Sequence, residues 1–114
     1  VSVLDVHGDR DEVIRYEGGR FLNHPALADH PSARESVAQA AAHNGCRGAL
    51  TDASQPLDLD TVLDGSETRV ERYQGCPQDG AVELWTVRGG RHFPTLAKGW
   101  PRMVYDFLAA HPKP

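Results

Sequence analysis

Two runs of alternating residues, joined by a short turn-rich connection, constrain the fold more than any other feature of this sequence. They cover residues 67–73 and 81–87, and in the second Val82, Leu84 and Thr86 alternate with Glu83, Trp85 and Val87. A side-chain period of two belongs to a β-strand. The connection, Gln74-Gly75-Cys76-Pro77-Gln78-Asp79-Gly80, is too short for the crossover that parallel strands need. The two runs are therefore predicted to pair antiparallel. A sheet follows, and the other elements have to cover it.

The best-marked cover is a helix. Ser32-Ala33-Arg34-Glu35 is a capping box, in which the serine oxygen accepts from the backbone N–H of Glu35 and the glutamate reaches back. Ala33, Val37, Ala40 and Ala41 then share one face at helical spacing, and Asn44-Gly45 supplies a left-handed stop. A second helix is expected near the end: Pro101 suits a first turn, Met103, Val104, Phe107 and Leu108 form an apolar stripe, and His111-Pro112 stops it. At the other end, Val1-Ser2-Val3-Leu4-Asp5-Val6 is a β-rich run ending at His7-Gly8, apolar enough on both faces to be buried on both. A polar loop at residues 9–12 leads to a short extended piece at 13–16, closed by Gly18-Gly19. Residues 20–31 read as loop, and residues 47–66 as polar and turn-rich. Strand, helix, two strands and helix describe an α/β chain whose sheet, containing a β-hairpin, packs with two main helices.

A chain of 114 residues makes one domain. Hydrophobic residues at 39% and charged residues at 25% are ordinary for a globular chain, not a disordered one. The net charge of −4 argues against nucleic acid or an anionic membrane as the main partner. No apolar run is long enough for a membrane span, and none follows a basic start as in a signal peptide. The sequence begins on Val1 and passes straight into an apolar run, which reads as a piece of something longer.

Cys46 follows the helix stop, and Cys76 lies in the hairpin connection. They are either a disulfide tying the helix end to the hairpin or two unlinked thiols. Their polar, turn-rich settings favour the disulfide, and with it an oxidising compartment. Neither is part of a C-x-x-C pair, and two thiols alone do not complete a zinc site.

For chemistry, none of the five serines (Ser2, Ser32, Ser36, Ser54, Ser66) lies in the G-x-S-x-G elbow of an α/β-hydrolase nucleophile. Two loops after strands do carry partners for such a nucleophile. Asp9, Asp11 and Glu12 follow the first run, and His92 follows the last one among glycines. Acid before histidine is the order in which α/β-hydrolases place these two groups. Asp58, Asp60 and Asp64 lack the glycine and terminal glutamate of a calcium loop. His7, His24 and His30 have no spacing that fixes a metal, so no metal or other cofactor is called for. Trp85 and Trp100 are assigned to the core, with an aromatic acyl pocket as the sharper alternative.

The stretch His7-Gly8-Asp9-Arg10-Asp11-Glu12-Val13-Ile14-Arg15-Tyr16-Glu17-Gly18-Gly19 resembles the H-G-T-x-D-x-x-V-P-Y-x-G-G signature of the secreted polyhydroxybutyrate depolymerase and feruloyl esterase family of α/β-hydrolases. Asn44-Gly45-Cys46 is similar to that family's N-G-C, and Tyr73-Gln74-Gly75-Cys76 to its Y-x-G-C. Residues 83–92 resemble its strand running into G-G-G-H. The four motifs fall in the family's order over nearly the whole chain. The resemblance implies a partial α/β-hydrolase sheet, with Asp11 as catalytic acid, His92 as catalytic base and Cys46 bridged to Cys76. Three positions depart from the pattern. Asp9 stands for threonine, Arg15 for proline, and Arg91 and Phe93 flank His92 in place of glycine and tryptophan.

The expectation is a C-terminal segment, residues 1–114, of one secreted α/β-hydrolase domain acting on carboxylic esters. Feruloyl or acetyl esters and polyhydroxyalkanoate chains are the substrate classes the resemblance implies. The segment would hold acid and base, be inactive alone, and meet either its missing N-terminal half or a second copy through the edge formed by residues 1–6. The alternative is a self-sufficient, non-catalytic α/β binding or structural module stabilised by a disulfide.

Overall fold

The computed structural model describes residues 1–113. In chain order it contains β1 (Val3–Gly8), β2 (Gly19–Arg20), β3 (Asp29–His30), α1 (Ala33–Asn44), β4 (Leu50–Asp52), β5 (Thr68–Tyr73), β6 (Val82–Val87) and α2 (Trp100–Ala110). The two alternating runs form β5 and β6, paired antiparallel from Thr68↔Val87 to Arg72↔Glu83. β1 lies on the other side of β6, parallel to it, from Val3↔Val82 to Gly8↔Val87. β4 adds antiparallel to β5, giving a mixed four-stranded sheet in the order β1-β6-β5-β4. β2 and β3 make a separate small ribbon.

β6 has a strand on each side and every one of its residues is buried. Its alternation then decides which core each side chain enters. Val82 and Leu84 pack with Tyr16 and with Ala33, Val37 and Ala41 of α1. Trp85 and Val87 pack with Leu59, Val70 and Phe107 of α2 on the opposite face. The small side chains of α1 let its backbone come close to the sheet. Its start is held by both halves of the capping box, Ser32 Oγ accepting from Glu35 N–H and Glu35 Oε2 from Ser32 N–H. Gly45, at φ 76°, ends it in the left-handed conformation that glycine adopts without strain.

Two glutamates are buried in the sheet, and each is paired, as buried charge requires. Glu83 accepts from the Trp85 indole N–H at 2.7 Å and from Arg72. Glu71 accepts from Arg34 at 2.9 Å and lies 3.3 Å from Arg69. Trp100 packs against the same core as Trp85, so both tryptophans serve the α2 side of the sheet.

Several local expectations need correction. The first strand runs two residues further than its apolar pattern suggests, so His7 and Gly8 lie inside β1. β1 is half-buried over most of its length, not buried on both faces, because it has a neighbouring strand on one side only among the described residues. Residues 13–16 turn, because the Asp11 carboxylate captures the N–H groups of both Val13 and Ile14. Residues 20–31 hold β2, a short 3-10 turn at Phe21–Asn23 and β3, and the polar 47–66 segment contains β4. Leu108 leaves the apolar stripe of α2 and is 53% exposed, while Phe107 carries the contact.

Cys46 and Cys76 form a disulfide. No helix among the described residues is long and apolar enough to cross a membrane.

Candidate active site

The loops that follow β1 and β6 leave the sheet side by side, because those strands are parallel neighbours. They are then stitched together. Asp9 N–H donates to Val87 O at 3.1 Å, and Arg10 N–H to Gly90 O at 2.9 Å. Gly89 N–H donates to Asp9 Oδ1 at 2.6 Å. Asp9, the residue standing where the resembling family has threonine, therefore ties one loop to the other and leaves Asp11 undisturbed. Gly8 makes the crossing possible: a Cβ there would lie 2.3 Å from the Gly90 carbonyl oxygen, closer than any side chain tolerates.

At this crossing Asp11 Oδ2 accepts a hydrogen bond from His92 Nδ1 at 2.9 Å. The other oxygen, Oδ1, accepts from Val13 N–H at 2.8 Å and Ile14 N–H at 2.9 Å. His7 Nε2 stands 3.3 Å from Oδ2. The Asp11 side chain is 6% exposed. Burial works against its charge, but the hydrogen bonds from His92 and from the Ile14 and Val13 N–H groups outweigh it, holding the carboxyl below its ordinary value. An ionised carboxylate only accepts, so His92 Nδ1 carries a proton, and in the neutral imidazole Nε2 holds the lone pair. Nε2 makes no hydrogen bond among the described residues, and the side chain is 31% exposed. The pair thus presents an oriented imidazole base to an accessible surface.

That surface includes a cleft of about 260 Å³ beside Val6, Ile14, Val87, Arg91 and His92. Phe93 stands edge-on to the His92 ring, with centroids 4.7 Å apart, and is itself 85% exposed. Arg15 is exposed and forms no ion pair among the described residues, and Arg91 makes only a loose 4.0 Å pair with Glu12.

The remaining candidates lie elsewhere or do other work. Ser32 caps α1, Ser36 donates to Ser32 O, Ser2 faces Asp79 O and Ser54 bonds Gln55 O. No serine lines the clefts beside Asp11 and His92, and neither tryptophan does. Asp60 is buried and accepts from Val62 N–H. His24 accepts from Ala26 N–H, and His30 pairs with Pro31 O. Among the described residues no group of three or more His, Cys, Asp or Glu side chains gathers as metal ligands do. The reading of residue types names Asp9 as a candidate acid and not as a tie between the loops, and it gives His7 no part beside Asp11. The signal for His7 is positional: it stands at the strand end four residues before Asp11.

Comparison with known protein families, with curated proteins and with solved structures finds no match to this chain.

Proposed function

We propose that this chain supplies the acid and the base of a serine esterase of the polyhydroxybutyrate depolymerase and feruloyl esterase type, and that its sheet is part of an α/β-hydrolase sheet. The observation that carries the reading is the 2.9 Å bond from His92 Nδ1 to the buried Asp11 carboxylate, with Nε2 left free. The placement of both groups beyond the C-terminal ends of adjacent parallel strands, where α/β sheets build their sites, supports it further.

In the proposed reaction, His92 Nε2 takes the proton of a serine hydroxyl as the serine oxygen bonds to the ester carbonyl carbon. The carbon–oxygen bond to the alcohol then breaks, and the imidazolium returns the proton to that leaving oxygen. Water repeats the two steps on the acyl-serine, releasing the acid and the free serine. Asp11 holds the tautomer and stabilises the imidazolium while it exists. The serine belongs to a further polypeptide segment, since no serine of this chain lines the clefts beside Asp11 and His92. The open side of β1 is where that segment adds to the sheet. The disulfide is compatible with an extracellular location.

The test compares ester hydrolysis by this chain alone and by the chain joined to the segment encoded upstream of Val1. The joined protein should hydrolyse feruloyl, acetyl or hydroxyalkanoate esters and the chain alone should not. His92→Ala should cut kcat in the joined protein by a factor on the order of 10⁴ or more. Unchanged turnover in that variant would overturn the assignment. A second reading, a self-sufficient non-catalytic module, draws on the helices covering both sheet faces and on the disulfide. A joined protein without hydrolytic activity would favour it.

A further inference from the structure

We infer that His7 is a positioning residue for Asp11, holding the carboxylate in the one orientation that presents Oδ2 to His92. The inference rests on the reading of Asp11 and His92 as acid and base. His7 lies in β1 opposite Thr86 of β6. Its Nε2 is 2.8 Å from the Ile14 carbonyl oxygen and 3.3 Å from Asp11 Oδ2. A carbonyl oxygen accepts and never donates, so Nε2 carries a proton and gives it to Ile14 O, while Asp11 Oδ2 stands 3.3 Å from the same nitrogen. Asp11 Oδ2 thus lies between two imidazole rings, bonded to His92 from the loop after β6 and approached by His7 from β1.

The arrangement closes a ring of contacts. Ile14 N–H donates to Asp11 Oδ1, while Ile14 O accepts from His7. Rotation of the Asp11 carboxylate would break the bonds on Oδ1 and the contacts on Oδ2 together. The His7 ring is itself fixed. Tyr16, 6% exposed, meets it edge-on with centroids 5.6 Å apart, and the Tyr16 hydroxyl is bonded to Thr86 Oγ1 at 2.7 Å. Only an N–H on Nε2, and not one on Nδ1, satisfies this geometry. Through the Ile14 peptide His7 orients the group that orients the base.

The test is nitrogen-15 NMR of the imidazoles in the full 114-residue chain, at a pH where both rings are neutral. His7 is expected as the Nε2–H tautomer and His92 as the Nδ1–H tautomer. His7→Leu should lose the Nδ1–H preference of His92. His7→Gln should keep it, because its amide N–H can still donate to Ile14 O and hold the peptide that binds Asp11 Oδ1. A native His7 in the Nδ1–H form, or a His92 preference unchanged in His7→Leu, would overturn the proposal. If His7→Leu fails to fold, the native tautomer and the His7→Gln spectrum decide it, and loss of the preference in His7→Gln counts against it. Hydrolysis is not read in these spectra. Expected tautomers in a protein that never cleaves an ester would therefore support His7's hold on Asp11 while sinking the esterase reading.

Discussion

The two ends of the β1–β6 pair are held by opposite means. Where the strands begin, α1 is bolted to the hairpin connection by the Cys46–Cys76 disulfide. Asn44 Nδ2 adds bonds to Val1 O at 2.7 Å and Gly80 O at 3.1 Å, and Gly48 N–H bonds Gln74 O at 2.9 Å. Where the strands end, nothing covalent joins the loops. They are held by backbone bonds, by Asp9 on Gly89, and by two imidazoles meeting one carboxylate. The covalent clamp and the Asp11–His92 pair thus sit at opposite ends of the two strands, and the pair is kept in register by hydrogen bonds alone.

The sharpest way to break this contrast is to remove the clamp. Reduction, or Cys46→Ala with Cys76→Ala, should cost about 3–4 kcal/mol for a closed loop of 30 residues, seen as a lower denaturant midpoint. The Nδ1–H tautomer of His92 should survive wherever the chain remains folded. An unchanged midpoint would place the stability at the other end. Next in size, Gly8→Ala forces a Cβ against the Gly90 carbonyl. It should cost about 1–3 kcal/mol and disturb the His92 tautomer as well, the reverse of the disulfide result. Asp9→Ala removes one exposed bond and should cost about 1 kcal/mol, read most directly as faster hydrogen exchange at the Gly89 amide. Unaltered exchange there would remove Asp9 from the stitching.

The smallest effects separate two carboxylates six residues apart. Asp11 has a folded value below its unfolded one, so its stabilisation is complete above the ordinary carboxylate range. It is lost as pH falls through the folded value. Asp5 is the reverse: burial raises it, and the nearby His7 only partly offsets that. Its ionisation therefore works against the fold as pH rises from the ordinary value through the folded one. Melting temperature followed against pH should lose part of its acid-side fall in Asp11→Asn. Asp5→Asn should raise it at neutral pH. A lower neutral melting temperature in Asp5→Asn would contradict that sign.

What the sequence discloses divides along the same physical line. The capping box at Ser32–Glu35 and the β5–β6 hairpin are local arrangements, and both are present where the residues place them. β4 was hidden because two of its three residues are exposed, and it exists only as a partner for the edge of β5. The turn at residues 13–16 was hidden for a different reason. Val13, Ile14 and Tyr16 suit a strand, but a side chain two residues upstream takes the N–H groups a strand would use. Asp11 and His92 were named by order and resemblance. The bond between them spans 81 positions, which no local pattern encodes. His7 reads beside His24 and His30 as a histidine with no metal-fixing spacing, because its partner is reached only once the chain turns after Gly8.

That long span gives the molecule a timetable. The Arg72–Glu83 contact closes over 11 positions, the disulfide over 30 and the Asp11–His92 bond over 81. Loop closure becomes costlier with length, and contacts distant in sequence are slow to form. The hairpin is thus expected to assemble first and the Asp11–His92 pair last. A nascent or half-folded chain would carry the two residues without the pair, so the oriented imidazole itself certifies a finished molecule.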